Sequence, residues 1–314
     1  MWDFENIIFE HYKVQKDKVY NLYFEFAPSG FIHVGIIRVL FSMNKIKNRL
    51  KSLGIEAKLI IGIQDRYTIK SNNHFHAEEA LNNKQLVDVK SPYDNTKNYL
   101  EFFTSDFINS LNKFNLTIDE IKHVSDLYKK ENLTTYFTGL LQKQVHAMEK
   151  IKSFQNHIPT LYFPKCDSCG KMYESDVNEI DADYKFSYKC KNCGNESTSS
   201  LLQNNGAFTF KIEAAIKFSI FNIDIQFAGL DHYDALKVSS EINQLIFGKP
   251  FDKQFYIVNM VLNNFGEVIH KSKGNSKAIS NFTDEEIEFI TKLLNRTNNS
   301  TLLKLPISLS LKSH

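Results

Sequence analysis

Apolar residues form two short blocks near the start of the chain, separated by a longer amphipathic segment. Residues 18–26 (KVYNLYFEF) and 56–63 (EAKLIIGI) are rich in β-branched and aromatic side chains, which is typical of buried strands. Between them, apolar residues recur at helical spacing from Ile36 to Leu50, and the pattern stops at Gly54, a residue type common at helix ends. This strand, helix and strand predict a βαβ unit and therefore a parallel sheet.

The same order of elements returns in the last third of the chain. Residues 223–229 predict a strand, residues 230–248 a helix that ends at a glycine, and residues 255–262 another strand. Between the two halves, residues 74–153 are predicted to be mostly helical, and residues 160–200 contain the cysteines. The pattern predicts an α/β fold: a Rossmann-like, nucleotide-binding parallel sheet that is split by an insertion.

Composition and charge narrow the class of protein only a little. The 314 residues are 42% hydrophobic and 24% charged, as in an ordinary globular protein, and the net charge of +2 does not by itself indicate a nucleic-acid partner. Nowhere do 18 or more apolar residues follow one another, and the acidic N-terminus is unlike a secretory signal. We therefore expect no membrane partner and a cytoplasmic location.

All four cysteines lie in two CxxC motifs that are separated by 20 residues, and a glycine follows each motif. This spacing is typical of a zinc ribbon, in which four thiolates close a tetrahedron around Zn²⁺ and leave no open position for catalysis. A redox dithiol pair and cysteines without a role are the alternatives. The predicted metal ligands are Cys166, Cys169, Cys190 and Cys193.

A sharp turn with the sequence APSGFIHVG joins the first predicted strand to the first predicted helix. The helix N-terminus would lie at the carboxyl end of a parallel strand, where free N–H groups and the helix dipole attract phosphate. Pro28, Ser29 and Gly30 let the backbone turn and approach a ligand closely, and Gly35 leaves room beside His33. His33 would donate hydrogen bonds to phosphate oxygens; the alternative is a histidine that only caps the helix.

A second candidate for phosphate chemistry is the loop VIHKSKGNS (268–276), which follows the last predicted sheet strand. Lys271 and Lys273 flank Ser272, and a glycine comes next. A cationic loop of this kind is suited to stabilising the charge that develops on a leaving pyrophosphate. The alternative is a solvated basic loop without a ligand.

Together, a His-x-Gly turn after the first strand and a Lys-Ser-Lys loop after the last strand form a specific pair. The pair resembles the "HIGH" turn and the "KMSKS" loop with which class I aminoacyl-tRNA synthetases hold ATP from two sides. Within that class, the chain is most similar to the catalytic half of class I lysyl-tRNA synthetases, in order, from about residue 19 to residue 278. The segments that carry the resemblance are APSGFIHVGIIR (27–38), IGIQDRYTIK (61–70), VSDLYKKENL (124–133), the two CxxC motifs and FAGLDHYDALKVSSEINQLIFGKP (227–250).

The resemblance implies an enzyme that activates an amino acid. A carboxylate attacks the α-phosphate of ATP, which gives an aminoacyl adenylate and pyrophosphate, and the acyl group then passes to an acceptor. The implied cofactors are ATP, Mg²⁺ and Zn²⁺, and the protein contributes mainly position and charge stabilisation. The implied substrate is lysine or a lysine-like amino acid.

His33 and Lys271 are the implied catalytic residues. His33, together with Gly35, holds the phosphates and adenosine of ATP, and Lys271 stabilises the transition state. The full set implied for ATP binding is Ser29, Gly30, His33, Gly35, Gly229, Asp231, His232, Lys271, Ser272 and Lys273.

A second group of residues is implied for the amino acid. Asp65 would bind its amino group, and the alternative for Asp65 is a carboxylate at a strand end that caps the next turn. The same group includes Glu25 in the first strand and His232, which with Gly229 and Asp231 lines the ribose or amino-acid side of the cleft.

The chain departs from the family pattern at several positions. Ile36 stands where the first signature has a polar residue, and Val268 and His270 replace the first lysine and the first serine of the loop. Ala214 lies where the family has a tryptophan-rich segment, which bears on the amino-acid pocket. Only about 35 residues follow the loop, so we expect a catalytic core without the C-terminal anticodon-binding domain.

These patterns divide the chain into five predicted parts. Thr283, with Glu286 placed for a capping box, starts the last helix. The parts are residues 1–68 (first half of the Rossmann-like catalytic domain), 69–157 (helical insertion), 158–200 (zinc ribbon), 201–280 (second half of the catalytic domain with the lysine loop) and 281–314 (C-terminal helix and tail).

The sequence leaves three functions open. The first is an adenylate-forming ligase that passes lysine or a related amino acid to an acceptor such as a tRNA acceptor stem, a carrier protein, a peptide or a small amine. The second is a true aminoacyl-tRNA ligase that recognises only the acceptor stem or uses a separate anticodon-binding chain. The third is an inactive regulatory or RNA-binding paralogue.

Overall fold

A computed structural model describes residues 15, 17–70, 79–154, 160–248, 254–263, 265–269, 276–297 and 302–305. In chain order, the elements of these residues are β1 (Tyr20–Phe26), α1 (Val34–Ser52), β2 (Ala57–Ile63), α2 (Tyr99–Lys113), β3 (Glu120–His123), α3 (Lys130–Phe154), β4 (Tyr162–Phe163), β5 (Lys185–Lys189), β6 (Glu196–Ser200), β7 (Ala207–Phe208), α4 (Phe210–Ile220), β8 (Ile225–Gly229), α5 (Tyr233–Phe247), β9 (Gln254–Val258), β10 (Val261–Leu262), α6 (Asp284–Arg296) and β11 (Leu303–Lys304). Short 3-10 turns lie between several of them.

Five of the strands form one parallel sheet in the order β3-β2-β1-β8-β9. Strand β1 pairs with β2 on one side and with β8 on the other, for example Leu22 with Leu59 and Leu22 with Ile225. The strand order reverses between β1 and β8, and open parallel sheets bind ligands outside the carboxyl ends of the strands at this switch point. The predicted α/β fold with a parallel sheet is confirmed, and its topology places the candidate site.

The sheet separates two hydrophobic cores, because successive side chains of a strand point to opposite faces. Leu22 and Phe26 of β1 belong to the core that also contains apolar residues of α1, α2 and α6. Tyr23 belongs to the other core, with apolar residues of α3, α4, α5 and the cysteine-containing segment. Glu25 follows Tyr23 at the strand period of two and therefore faces α4 and α5.

The helix ends follow the sequence signals closely. Gly54 (φ +74°) and Gly248 (φ +63°) lie just beyond α1 and α5 in the left-handed region, which glycine adopts without a steric penalty. The Thr283 hydroxyl accepts a hydrogen bond from the Glu286 backbone N–H, and the Glu286 carboxylate accepts one from the Thr283 N–H, so the predicted capping box of α6 is confirmed.

Two parts of the sequence reading need correction. Residues 255–262 do not form one strand, because β9 ends at Val258 and β10 pairs with β11 in a separate two-stranded sheet. Between β9 and β10, the Met260 carbonyl accepts a hydrogen bond from the buried Arg38 guanidinium (3.0 Å), so a side chain and not a neighbouring strand is its partner. Strand β3 was not predicted at all, since its sequence EIKH has no apolar run and its residues stay partly exposed.

Because β3 pairs with β2, the segment predicted as a helical insertion contributes a strand to the main sheet. The same segment supplies the helices α2 and α3, and the cysteine-containing segment follows it with the antiparallel pair β5–β6. The domain boundaries given above stay a prediction. None of the helices in the described part of the chain combines the length and the apolar character that a membrane span requires.

Candidate active site

A cavity of about 530 Å³ opens at the switch point of the sheet, which is within the usual size range of small-molecule sites. Its wall comes from the carboxyl-terminal parts of β1 and β8, the start of α1, the helix α4 and the segments that follow β8 and β9. These parts of the chain are far apart in sequence. The parallel sheet brings them together, because the carboxyl ends of its strands lie at one edge.

His33 lines this cavity and is also the N-cap of α1. Its Nδ1 accepts a hydrogen bond from the Gly35 backbone N–H at 3.2 Å. In a neutral imidazole the other nitrogen, Nε2, then carries the proton and is the donor. The two interpretations of His33 are therefore compatible: Nδ1 caps the helix, and Nε2 can donate to an anion at the helix N-terminus.

Gly35 is required by this arrangement. A Cβ atom at this position would lie 2.8 Å from His33 Cε1 and 2.9 Å from His33 Nδ1, which is closer than real Cβ contacts. Any side chain at position 35 would therefore push the imidazole away from the helix N-terminus. Gly35 lines the cavity too, so the helix end is accessible to a ligand.

The turn before His33 is held from two sides. Asp106 of α2 accepts a hydrogen bond from the Ile32 backbone N–H (3.1 Å), and burial raises the pKa of this carboxyl. The Ile32 carbonyl accepts from the Ile279 N–H at 2.8 Å. Ser29 and Gly30 are buried and do not line the cavity, so their role in ATP binding stays a prediction.

The opposite wall contains the residues predicted after β8. Gly229, Asp231 and His232 all line the cavity. A Cβ at Gly229 would lie 2.5 Å from Asp231 Oδ1, so this glycine lets the Asp231 carboxylate fold back over the end of the strand. Asp231 and His232 are about half exposed at 50% and 55%, which places them at the solvent-facing side of the site.

An ion pair lies deeper in the cavity. The Lys217 ammonium of α4 donates to Glu25 Oε2, and the Tyr23 hydroxyl donates to the same oxygen at 3.2 Å. The side chain of Lys217 is only 2% exposed and that of Glu25 is 16% exposed. The sequence reading included Glu25 but missed Lys217. Lys217 follows Glu213 by four residues in the segment FKIEAAIKF, and the sequence does not show which charged side chain of this segment enters the cavity.

A buried polar network continues behind the ion pair. Glu213, one helical turn before Lys217, accepts hydrogen bonds from Gln64 Nε2 (2.5 Å) and the Tyr128 hydroxyl (2.7 Å). Burial raises the pKa of Glu213, the charge of Glu25 raises it further, and Lys217 opposes both. Glu213 does not line the cavity, and Arg66 stacks on the Tyr128 ring at 3.7 Å. This network fixes α4 against β2.

Asp65 lies outside the cavity lining. Its carboxylate accepts from the Ser125 backbone N–H (2.8 Å) and from the Ser125 hydroxyl (2.5 Å), and His123 Nδ1 is 3.4 Å away. This is the geometry of the alternative interpretation, in which a carboxylate at a strand end caps the next turn. The predicted contact of Asp65 with the substrate amino group stays a prediction.

The predicted catalytic loop falls partly outside the described residues. Lys271, Ser272 and Lys273 are among the residues that the structure does not describe. The described residues before them, Val268 and Ile269, line the cavity. Ile269, the last described residue before the lysine loop, is therefore part of the cavity wall.

The cysteines come together in the ribbon. Their four sulfur atoms lie within 4.8 Å of one another, with 3.6 Å between Cys166 and Cys193 and 3.7 Å between Cys169 and Cys190. Zn–S bonds of about 2.3 Å in a tetrahedron place sulfur atoms roughly 3.8 Å apart, so the arrangement fits Zn²⁺. Without a metal, a hydrogen bond from the Asn195 backbone lowers the pKa of the Cys193 thiol to about 7, whereas burial raises the pKa of the Cys169 and Cys190 thiols.

A parallel sheet with a helix N-terminus and a cavity at its switch point places the chain among the doubly wound α/β proteins. The chain belongs to the class I aminoacyl-tRNA synthetases: the family described as tRNA synthetases class I (K) matches residues 4–304.

Curated relatives agree with this family at low identity. The chain is 25% identical over 282 residues to a lysine–tRNA ligase of Methanosphaera stadtmanae, which covers 85% of this chain and 51% of the relative. It is 24% identical over 234 residues to the lysine–tRNA ligase of Pyrococcus horikoshii, covering 71% of this chain and 44% of the relative. The chain thus spans about half the length of the curated relatives it matches.

Among solved structures, the chain is similar to a glutamate–tRNA synthetase from Elizabethkingia anophelis. The TM-score is 0.44 at 10% sequence identity, and the match covers 82% of this chain and 53% of that one.

Proposed function

We propose that this protein activates an amino acid with ATP by forming an aminoacyl adenylate. The observation that carries the proposal is the cavity at the switch point, whose wall contains the His33 imidazole at the N-terminus of α1, the positive end of the helix dipole. Membership of the class I synthetases supports the same reaction. ATP would enter as its Mg²⁺ complex, in which the metal neutralises phosphate charge.

The proposed reaction divides the work among a few residues. The amino acid carboxylate attacks the α-phosphorus of ATP, the bond to the bridging oxygen breaks, and pyrophosphate leaves with the electron pair. His33 Nε2–H and the start of α1 hold phosphate oxygens in line for this displacement. Lys271 would neutralise the charge that builds up on the leaving pyrophosphate. The four cysteines would hold Zn²⁺ as a structural ion that stabilises the ribbon.

The relatives guide the choice of substrates. Because the matched relatives are lysine–tRNA ligases, we propose lysine or a related amino acid as the substrate and tRNA as the acceptor. Nothing in these comparisons supports a carrier protein, a peptide or a small amine. A cytoplasmic location stays a prediction.

Exchange of labelled pyrophosphate into ATP tests the proposal. We expect exchange that depends on one amino acid, or on a few related ones, when the purified protein is supplied with each in turn. If no amino acid supports exchange, the proposed activity is wrong and the inactive paralogue is favoured.

Charging of total tRNA then tests the acceptor. We expect acid-stable radioactivity from the activated amino acid on tRNA, which a treatment with base removes because the product is an ester. Exchange without any charging would contradict tRNA as the acceptor while leaving adenylate formation intact.

A further inference from the structure

The ion pair inside the cavity bears on which amino acid fits. We infer that the Glu25–Lys217 pair selects a substrate whose side chain ends in an uncharged hydrogen-bonding group, and disfavours the ammonium of lysine itself. This inference rests on the proposed function, since it concerns the amino-acid part of the same cavity.

The first step is the charge already present in the cavity. Lys217 lines the cavity, and its side chain is 2% exposed. Among the described residues, Glu25 is the carboxylate within salt-bridge distance of its ammonium. A second ammonium from a bound lysine would have to share this one carboxylate. Two like charges at a desolvated site repel each other, and the cost is not screened as it would be in water.

The second step concerns other carboxylates that would offset a second positive charge. Glu213 is the nearest in sequence, but it is 2% exposed, does not line the cavity and is bonded to Gln64 and Tyr128. Burial raises the pKa of Glu213, which favours its neutral form. Asp231 lines the cavity at its half-exposed rim, where solvent screens its charge. Glu25 is therefore the only cavity-lining carboxylate in the described residues that is shielded from solvent.

The third step is what the pair offers to a ligand. The bonds that the described residues make to Glu25 both end on Oε2, which leaves Oε1 as an acceptor. An ammonium has three N–H donors, and one N–H of Lys217 donates to Glu25. A group that both donates and accepts, such as a hydroxyl or an amide, satisfies Oε1 and the ammonium together without adding charge. A carboxylate would instead compete with Glu25 for Lys217.

The apolar part of the cavity wall suits an aliphatic stem. Phe24, Phe210, Ala214 and Leu236 line the same cavity as the ion pair. An apolar side-chain stem would pack here while its polar end reaches Glu25 and Lys217. The inferred substrate class is therefore an amino acid with an apolar stem and a neutral hydroxyl or amide at its end.

Two non-reactive adenylate analogues test this directly, because they bind without any chemical step. They are the 5′-sulfamoyl-adenosine derivatives of lysine and of 6-hydroxynorleucine, which have the same length and differ only in an ammonium against a hydroxyl. By titration calorimetry, we expect the hydroxyl analogue to bind the wild-type protein at least about tenfold more tightly. Tighter binding of the lysyl analogue, or no binding of either, would overturn the inference.

The variant Lys217→Met sharpens the test. It removes the resident ammonium and leaves the Glu25 carboxylate for a ligand, so we expect the preference to shift at least about tenfold towards the lysyl analogue. Lys211→Met, on the same helix but outside the cavity lining, should leave the preference unchanged. A preference that does not shift in Lys217→Met would contradict the role of the pair. Circular dichroism of each variant confirms that it is folded before titration.

The two proposals fail in different ways. Binding of the hydroxyl analogue without pyrophosphate exchange for any amino acid would sink adenylate formation and leave the inferred specificity standing. Exchange that is strongest with lysine would support adenylate formation and overturn the inferred specificity.

Discussion

The cysteine ribbon and the switch-point cavity are both small sites, but the chain builds them in opposite ways. In the ribbon, each motif supplies two ligands within four residues, and a tight turn with glycine at positive φ follows each motif at Gly170 and Gly194. In the cavity, Glu25 and Lys217 meet across 192 positions of the chain. The ribbon depends on local backbone geometry, whereas the cavity depends on the topology of the sheet.

Because of this difference, we expect the two sites to respond differently to single substitutions. Removal of one thiolate should abolish binding of the Zn²⁺ that we propose stabilises the ribbon. The cavity has its own support in the parallel sheet and the two cores, so a single change there should cost less stability than the loss of a metal ligand. The predictions below test this contrast, and the one with the greatest expected cost comes first.

The largest effect is expected in the ribbon. We predict that the wild-type protein binds about one Zn²⁺ per chain and that Cys190→Ser reduces this to nearly none, with a loss of more than about 4 kcal/mol in unfolding free energy. Metal analysis and chemical denaturation measure both. Ser168→Ala, an exposed position between two ligands, is the control and should keep the metal. Full stability of the metal-free variant would show that the ribbon does not depend on zinc.

The ion pair in the cavity should come next. Lys217→Met leaves a carboxylate in a mostly buried position, and we expect it to lower the unfolding free energy by about 3 kcal/mol, the lower end of the range for broken buried pairs. The double variant Glu25→Gln/Lys217→Met should recover part of this loss. A double-mutant cycle in urea measures the coupling between the two side chains. Additive losses would mean that the pair is not coupled.

Gly35→Ala should separate activity from stability. The new Cβ would contact the His33 ring, so we expect pyrophosphate exchange to fall about 100-fold through misplacement of the imidazole. Stability should change little, because alanine favours the helix. Gly139→Ala is the matched control: its Cβ would meet the Ile246 carbonyl oxygen at 2.4 Å, away from the cavity. We expect it to lower stability and to leave exchange per folded molecule unchanged.

The smallest effect is expected at the cap of α6, another local motif. Burial raises the pKa of Glu286, but hydrogen bonds from Lys277 and Thr283 outweigh it, and the net pKa is lowered from its ordinary 4.5. A carboxyl with a lowered folded-state pKa stabilises the protein above the unfolded-state pKa, and this stabilisation is lost as pH falls through the folded-state pKa. Thr283→Ala should cost about 1 kcal/mol at neutral pH.

The pH dependence of stability tests whether the Glu286 carboxylate stabilises the cap of α6. The difference in melting temperature between the wild type and Glu286→Gln should shrink as pH is lowered from 7 towards 3, by scanning calorimetry. Glu288→Gln, on the same helix but 66% exposed and paired only with Lys292, should show a much weaker change. A difference that stays constant with pH would mean that the Glu286 carboxylate is not the stabilising group.

The sequence predicts local features well and long-range contacts poorly. The CxxC spacing, the Thr283 capping box and the glycine ends of α1 and α5 follow from residues within one turn of each other. Lys217 could not be found as a cavity residue, because its partner lies on a strand that only the sheet topology brings close. The same holds for β3, an edge strand whose polar sequence gives no buried pattern.

For His33, the sequence left two interpretations open, a helix cap and a phosphate ligand. The structure shows that Nδ1 accepts the capping hydrogen bond and that the side chain also lines the cavity. His33→Asn keeps a good N-cap and removes the Nε2 donor, so it separates these roles without a large effect on stability.

The decisive experiment is amino-acid-dependent pyrophosphate exchange in the wild type, His33→Asn, Lys271→Ala and Ser168→Ala. We expect exchange in the wild type, a loss of at least about 100-fold in His33→Asn and Lys271→Ala, and full activity in Ser168→Ala. Exchange that survives both of the first two substitutions, or no exchange with any amino acid in the wild type, would contradict the claim that this cavity activates an amino acid.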